Sequence, residues 1–60
     1  MADDIYTQRG YRNRTDYLRS LADNYDVDLW IVTEFASMLG PNEDFDGLVA
    51  MVQDAALIGL

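Results

Sequence analysis

The stretch YDVDLWIVTEFASMLGP, residues 25–41, decides the fold because it contains a complete helix with a boundary signal at each end. Asp28 is an N-cap candidate at the start of an apolar run. After that run, Gly40 can adopt the left-handed conformation that ends a helix, and Pro41 cannot continue one. The spacing therefore predicts a helix over residues 29–39.

This central predicted helix has almost no polar face, since only Thr33, Glu34 and Ser37 are polar. A helix that is apolar nearly all round needs to be covered on more than one side. A chain of 60 residues buries only about 60% of the surface that it exposes when unfolded, so its core is thin. We therefore expect a second copy of the chain to cover part of this helix in a homodimer.

Apolar periodicity predicts one helix on each side of the central one. The upstream helix has Thr15 as its predicted N-cap and ends at a left-handed turn around Asp26. The downstream helix begins near Asp44 or Asp46 and runs to about Leu57 with a wide apolar stripe.

These elements give an all-α fold class, a small three-helix bundle. Residues 14–60 form its single domain. Residues 1–13 contain Gly10 and show no sustained period, so we expect a flexible or loosely docked arm. No apolar run reaches the roughly 18 residues of a membrane span, so no membrane association is expected.

The first predicted hairpin is helix-turn-helix-like. A small residue, Ala22, is followed four places later by the turn residue Asp26, and Val32 then packs inward. The face that would enter a DNA groove has no Arg, Lys, Asn or Gln to pair with base edges. It predicts instead a protein-binding surface, formed by Leu29, Trp30, Ile31 and Glu34.

Charge is distributed unevenly along the chain, whose net charge is −7. All four basic residues are arginines within the first nineteen positions, where three aspartates leave a balance of +1. The remaining residues carry eight acids and no base. Such a surface repels phosphate, so direct nucleic-acid binding is disfavoured.

Histidine and cysteine are absent, which removes the usual general base near neutral pH, common metal ligands and disulfides. Carboxylates are the only candidate general acids or bases, and no nucleophile–base pair or phosphate-binding glycine loop is present. We expect neither enzymatic activity nor a cofactor. The N-terminus lacks the layout of a signal peptide, so we expect a cytoplasmic protein.

The segment GPNEDFDGLV, residues 40–49, alternates oxygen-bearing residues before a glycine, like the first half of a calcium-binding EF-hand loop. The candidate ligands are Asn42, Asp44 and Asp46. Gln53 stands where that loop needs a bidentate Glu, so the second half of the pattern argues against calcium binding. A simpler interpretation is a helix start with carboxylates near the positive end of its dipole. In a third interpretation, the protein interface includes Glu43, Asp44 and Asp46.

The stretch YLRSLADNYDVDLWIV, followed by MLGPNEDFDGLV, resembles small uncharacterised bacterial proteins of similar length that occur on phage-like or conjugative mobile elements. Residues 40–49 carry the most specific part of this resemblance. Members of that group tend to have Gly at the position of Asp26 and Pro at the position of Asp28, so the turn departs from their pattern. The resemblance implies a compact helical protein in a mobile-element context and implies no activity.

Two classes of function follow from these observations. The favoured one is a small acidic protein-interaction module that self-associates, because the central helix is too apolar for a small monomer. The alternative is an acidic inhibitor that mimics nucleic acid and occupies a binding site on a host defence or replication protein, because no base follows Arg19. A DNA-binding regulator is a weaker alternative.

Overall fold

Helices account for nearly all of the regular structure in residues 5–59, the part of the chain that the computed structural model describes. The elements are, in chain order, α1 (Ile5–Gln8), α2 (Arg14–Tyr25), α3 (Leu29–Leu39), a 3₁₀ helix (Pro41–Glu43) and α4 (Gly47–Leu57). The predicted all-α fold is confirmed, and α3 has the predicted bounds. Within residues 5–59, no helix has the length and apolar character needed to cross a membrane.

The core lies where α2, α3 and α4 pack against one another. At its centre, Val32 of α3 meets Leu48 and Val52 of α4, and all three side chains are completely buried. Burying one such side chain contributes about 1.5–3 kcal/mol relative to leaving it exposed. The other buried apolar residues are Tyr17, Leu18, Leu21, Ala22, Val27, Ile31, Ala36 and Ala55.

Local signals set the two turns that flank α3. Asp26 adopts the left-handed conformation with φ of 55°, and its N–H donates to the carbonyl of Ala22. At the other end, Gly40 has φ of 84° and its N–H donates to the carbonyl of Ala36. The predicted left-handed conformation is confirmed at Asp26. Gly40 has the predicted positive φ, but its ψ of 165° makes it extended rather than left-handed helical.

The prediction of Thr15 as the first N-cap is wrong, because Asn13 occupies that position. Its side chain accepts a hydrogen bond from the N–H of Asp16 at 2.9 Å, and the Asp16 carboxylate accepts one from the N–H of Arg12 at 3.1 Å. Asn is as good an N-cap as Thr or better. This reciprocal pair satisfies two backbone donors at the helix start, so α2 begins at Arg14.

The start of α4 also differs from the prediction. The helix begins at Gly47, and neither Asp44 nor Asp46 caps it through its side chain. Glu43 does so instead, since its Oε1 accepts from the N–H of Gly47 at 3.2 Å. Asp28 lies at the N-cap position of α3 as predicted, but its side chain makes no capping hydrogen bond.

Candidate functional site

Asp44 was predicted to lie on an acidic surface and is instead completely buried, with 0% of the residue exposed. It is the only charged residue in the core of the described part of the chain. Its assignment to the protein interface is therefore wrong. Burial of a carboxylate costs folding free energy unless the group is paired with a positive charge and fully hydrogen-bonded. The partners of Asp44 therefore explain how it can be buried.

The principal partner of Asp44 is Arg14, at the first position of α2. Arg14 Nε lies 2.7 Å from Oδ2 and Arg14 Nη2 lies 2.9 Å from Oδ1, which is a bidentate ion pair. The same Nη2 donates to the carbonyl of Ala36 in α3 at 3.1 Å. The Tyr6 hydroxyl of α1 donates to Oδ2 as well. One carboxylate thus joins α1, α2 and the turn before α4, and Arg14 extends the network to α3.

An aromatic cluster covers this ion pair. Tyr17 stacks on Phe45 with 4.3 Å between ring centroids, and its hydroxyl donates to the carbonyl of Asp44. Tyr11 contacts the Tyr17 ring edge-on at 4.9 Å, and Arg9 lies 4.6 Å above the Phe45 ring. Within residues 5–59, every buried side-chain nitrogen or oxygen has a hydrogen-bond partner. The site is a satisfied polar network that packs against aromatic rings.

The network changes the proton affinity of its members. Burial, together with the nearby Asp44 carboxylate, raises the pKa of Tyr17 to about 12. Burial, followed by the hydrogen bond to Asp44, raises the pKa of Tyr6. The hydrogen bond to Asp44 raises the pKa of Arg14. The two tyrosines are therefore held neutral as hydrogen-bond donors.

The positions of Asn42, Asp44 and Asp46 do not fit the calcium site for which they were candidates. Asp44 is buried with both oxygens bonded to Arg14, whereas Asn42 and Asp46 are exposed. Among the residues that the structure describes, no group of three acidic side chains is placed to hold a metal ion. Alternation along the sequence did not bring these oxygens together, because the turn directs Asp44 inward.

Three of the four residues predicted to form an interface on α3 are exposed, and one is buried. Trp30 is 66% exposed, Leu29 is 40% exposed and Glu34 is also exposed, but Ile31 is buried in the core. Ile31 is wrong as an interface residue for a geometric reason. Successive residues of a helix point about 100° apart, so three in a row cannot share one outward face. Glu43 and Asp46 are exposed in the turn before α4.

Other exposed apolar residues were not predicted as interface residues. Met38 is 72% exposed near the end of α3, and Leu57 and Ile58 are 84% and 75% exposed at the end of α4. The spacing of Trp30, Glu34 and Met38, four residues apart, places them in one row along α3. That spacing was readable in the sequence. The exposure of Met38 was not, because it depends on where α2 and α4 pack.

An open groove of about 190 Å³ lies between Phe35 of α3 and the C-terminal half of α4. It is lined by Phe35, Met51, Asp54, Ala55 and Ile58. The lining is apolar apart from one carboxylate, and none of it comes from α2. No sequence pattern indicated the groove, because it depends on how closely the two helices approach each other.

Comparison with protein-family models, with curated proteins and with solved structures gave no match to this chain. The mobile-element context that the sequence resemblance implies therefore stays a prediction.

Proposed function

We propose that the protein is a small acidic protein-interaction module that self-associates through the outward face of α3. The exposure of Trp30 and Met38 on one side of the same helix carries this proposal. Tryptophan is among the residues that contribute most to protein interfaces, and methionine adapts its shape to a partner. Large apolar side chains that are exposed on one face of a helix are typical of an interaction surface.

The order of residues along this face suits an antiparallel pairing of two copies. Trp30 and Met38 lie about 12 Å apart along the helix axis, with Glu34 midway between them. A two-fold axis that passes close to Glu34 places Trp30 of one copy against Met38 of the other, twice over. Contacts between sulfur and an aromatic ring are favourable, and twofold interfaces of this kind are self-complementary.

The same arrangement brings the two Glu34 carboxylates close to each other at the axis. Two like charges there repel, and the repulsion is reduced by salt. In this interface the contacts between Trp30 and Met38 favour the dimer, and the repulsion between the two Glu34 carboxylates opposes it. Separate substitutions can change each contribution. The repulsion between the Glu34 carboxylates is expected only if the two-fold axis passes close to Glu34. It therefore distinguishes this pairing from a general association of apolar surfaces.

Sedimentation equilibrium of three variants tests the proposal. Trp30→Ala should raise the dimer dissociation constant at least about tenfold, the effect expected for an interface anchor. Glu34→Gln should lower the dissociation constant, because it removes the repulsion at the axis. Leu57→Ala, which alters an exposed apolar residue outside α3, should leave it unchanged. An unchanged constant in Trp30→Ala would contradict the proposal.

A second candidate function, the acidic inhibitor that mimics nucleic acid, is favoured by a different observation. Of the eight acids after Arg19, only Asp44 is buried and paired, and the other seven are exposed with no base among them. Binding of this kind to a basic partner should weaken steeply with added salt. Self-association through α3 should strengthen instead.

A further inference from the structure

We infer that the groove between α3 and α4 is a second binding site, which takes a cationic amphipathic helix from a partner protein. The groove is separate from the outward row of Trp30, Glu34 and Met38, since none of those residues lines it. A volume of about 190 Å³ is below the range of about 300–1,000 Å³ that is usual for small-molecule pockets. The groove suits one apolar side chain that anchors a longer segment.

The chemistry of the lining indicates an apolar anchor. Phe35 and Met51 form the walls, and Ala55 is a small residue that is itself almost completely buried, so it leaves room above it. Met51 has a flexible side chain that can adapt to a guest. Grooves of this form between two helices accept the apolar face of a third helix, with anchors at helical spacing.

The charge of the segment that forms the groove indicates the sign of the partner. Asp54 lies in the lining, and the sequence from Asp28 to Gly59 contains no basic residue. Five of the acids in this range are exposed: Asp28, Glu34, Glu43, Asp46 and Asp54. The arginines lie in or before α2, and two of them, Arg9 and Arg14, are engaged by Phe45 and Asp44.

A second copy of the chain does not meet these requirements, because its own α3 and α4 are equally acidic. A helix that carries Lys or Arg beside its apolar face satisfies both the apolar groove and the Asp54 carboxylate in its lining. Electrostatic attraction of this kind also speeds association and makes it dependent on salt. The partner is therefore a basic amphipathic segment of another protein.

Titration of isotope-labelled protein with synthetic peptides, followed by NMR, tests this inference. The first peptide has leucines at positions i, i+3, i+4 and i+7 and lysines elsewhere, and the second has glutamates in place of the lysines. The lysine peptide should shift the amide signals of Met51, Asp54 and Ala55. The glutamate peptide should not bind.

Two pairs of matched variants locate the site. Met51→Gln should weaken binding of the lysine peptide about tenfold, whereas Met38→Gln should not. Asp54→Asn should weaken it more than Asp23→Asn, which removes an exposed carboxylate from α2. Equal binding of both peptides, no binding of either, or signal shifts confined to α2 would overturn the inference. Sedimentation of Met51→Gln keeps the two sites distinguishable, because its self-association should equal that of the natural sequence.

Discussion

Asp44 and Asp46 lie two positions apart in one turn, yet Asp44 is buried and Asp46 is exposed. The sequence pattern does not separate them, because both are aspartates in the acidic segment before Gly47 and only Phe45 lies between them. The difference arises from Arg14, thirty positions earlier, which pairs with Asp44 alone. Local rules cannot identify a partner at that distance, so the most informative side chain in the segment was misplaced.

A comparison of Asp44→Asn with Asp46→Asn measures what the buried pair contributes. Asp44→Asn leaves the Arg14 guanidinium without its counter-charge. Because Arg14 is about one-third exposed, we expect a loss of about 2–3 kcal/mol in the free energy of unfolding, below the usual cost of breaking a fully buried pair. Asp46→Asn should change it by less than about 0.5 kcal/mol. Equal effects in urea denaturation would contradict the burial of Asp44.

The same cluster predicts how stability depends on pH in the alkaline range. The pKa of Tyr17 is about 12 in the folded chain against an ordinary 10.0, so the unfolded chain loses this proton first. Stability is therefore complete below pH 10 and falls between pH 10 and 12, by about 1.4 kcal/mol per pH unit for this residue. The chain has no lysine to titrate in the same range.

Urea denaturation at several values from pH 9 to pH 12 measures this slope. Tyr17→Phe should be less stable at pH 9, because it loses the hydrogen bond to the Asp44 carbonyl, and its stability should fall less steeply above pH 10. Tyr25→Phe, outside the aromatic cluster, is the control. The same slope in Tyr17→Phe as in the natural sequence would refute the assignment to Tyr17.

At the scale of the elements, the bounds of α3 could be predicted because the signals that set them are local. Gly40 and Pro41 end the helix through their own backbone geometry, which no tertiary contact needs to supply. The N-terminal arm was less predictable, since four residues of α1 carry no periodicity. Tyr6, Arg9 and Tyr11 contact the Asp44 and aromatic cluster described above. Residues 1–4, also assigned to the arm, lie outside the described residues.

The turn between α2 and α3 offers a prediction at this scale. Asp26 pays a conformational cost in the left-handed region that glycine avoids, and its carboxylate faces the negative end of the α2 dipole. Asp26→Gly should therefore raise the midpoint of thermal unfolding, with a gain of about 0.5–1 kcal/mol in stability. Asp26→Asn separates the two contributions, since it removes the charge and keeps a side chain. A lower midpoint for Asp26→Gly would contradict the account of this turn.

At the scale of the whole molecule, burial of the Asp44 pair leaves a surface on which apolar and acidic residues are interspersed. The exposed apolar residues of α3 favour association, while the net charge of −7 opposes contact between identical chains. The sequence allowed both properties to be predicted, because composition and charge order are visible in it. The sequence did not show that the row of Trp30, Glu34 and Met38 and the groove between α3 and α4 are two distinct surfaces, because that depends on how α4 packs against α3.

The central claim, that the outward face of α3 joins two copies of the chain, is tested most directly by sedimentation equilibrium of the natural sequence at two salt concentrations. The account predicts a dimer at high micromolar concentration whose dissociation constant falls as salt screens the acidic surfaces and the paired Glu34 carboxylates. A monomer at that concentration in both salts would contradict it, and so would a dimer that dissociates as salt is added.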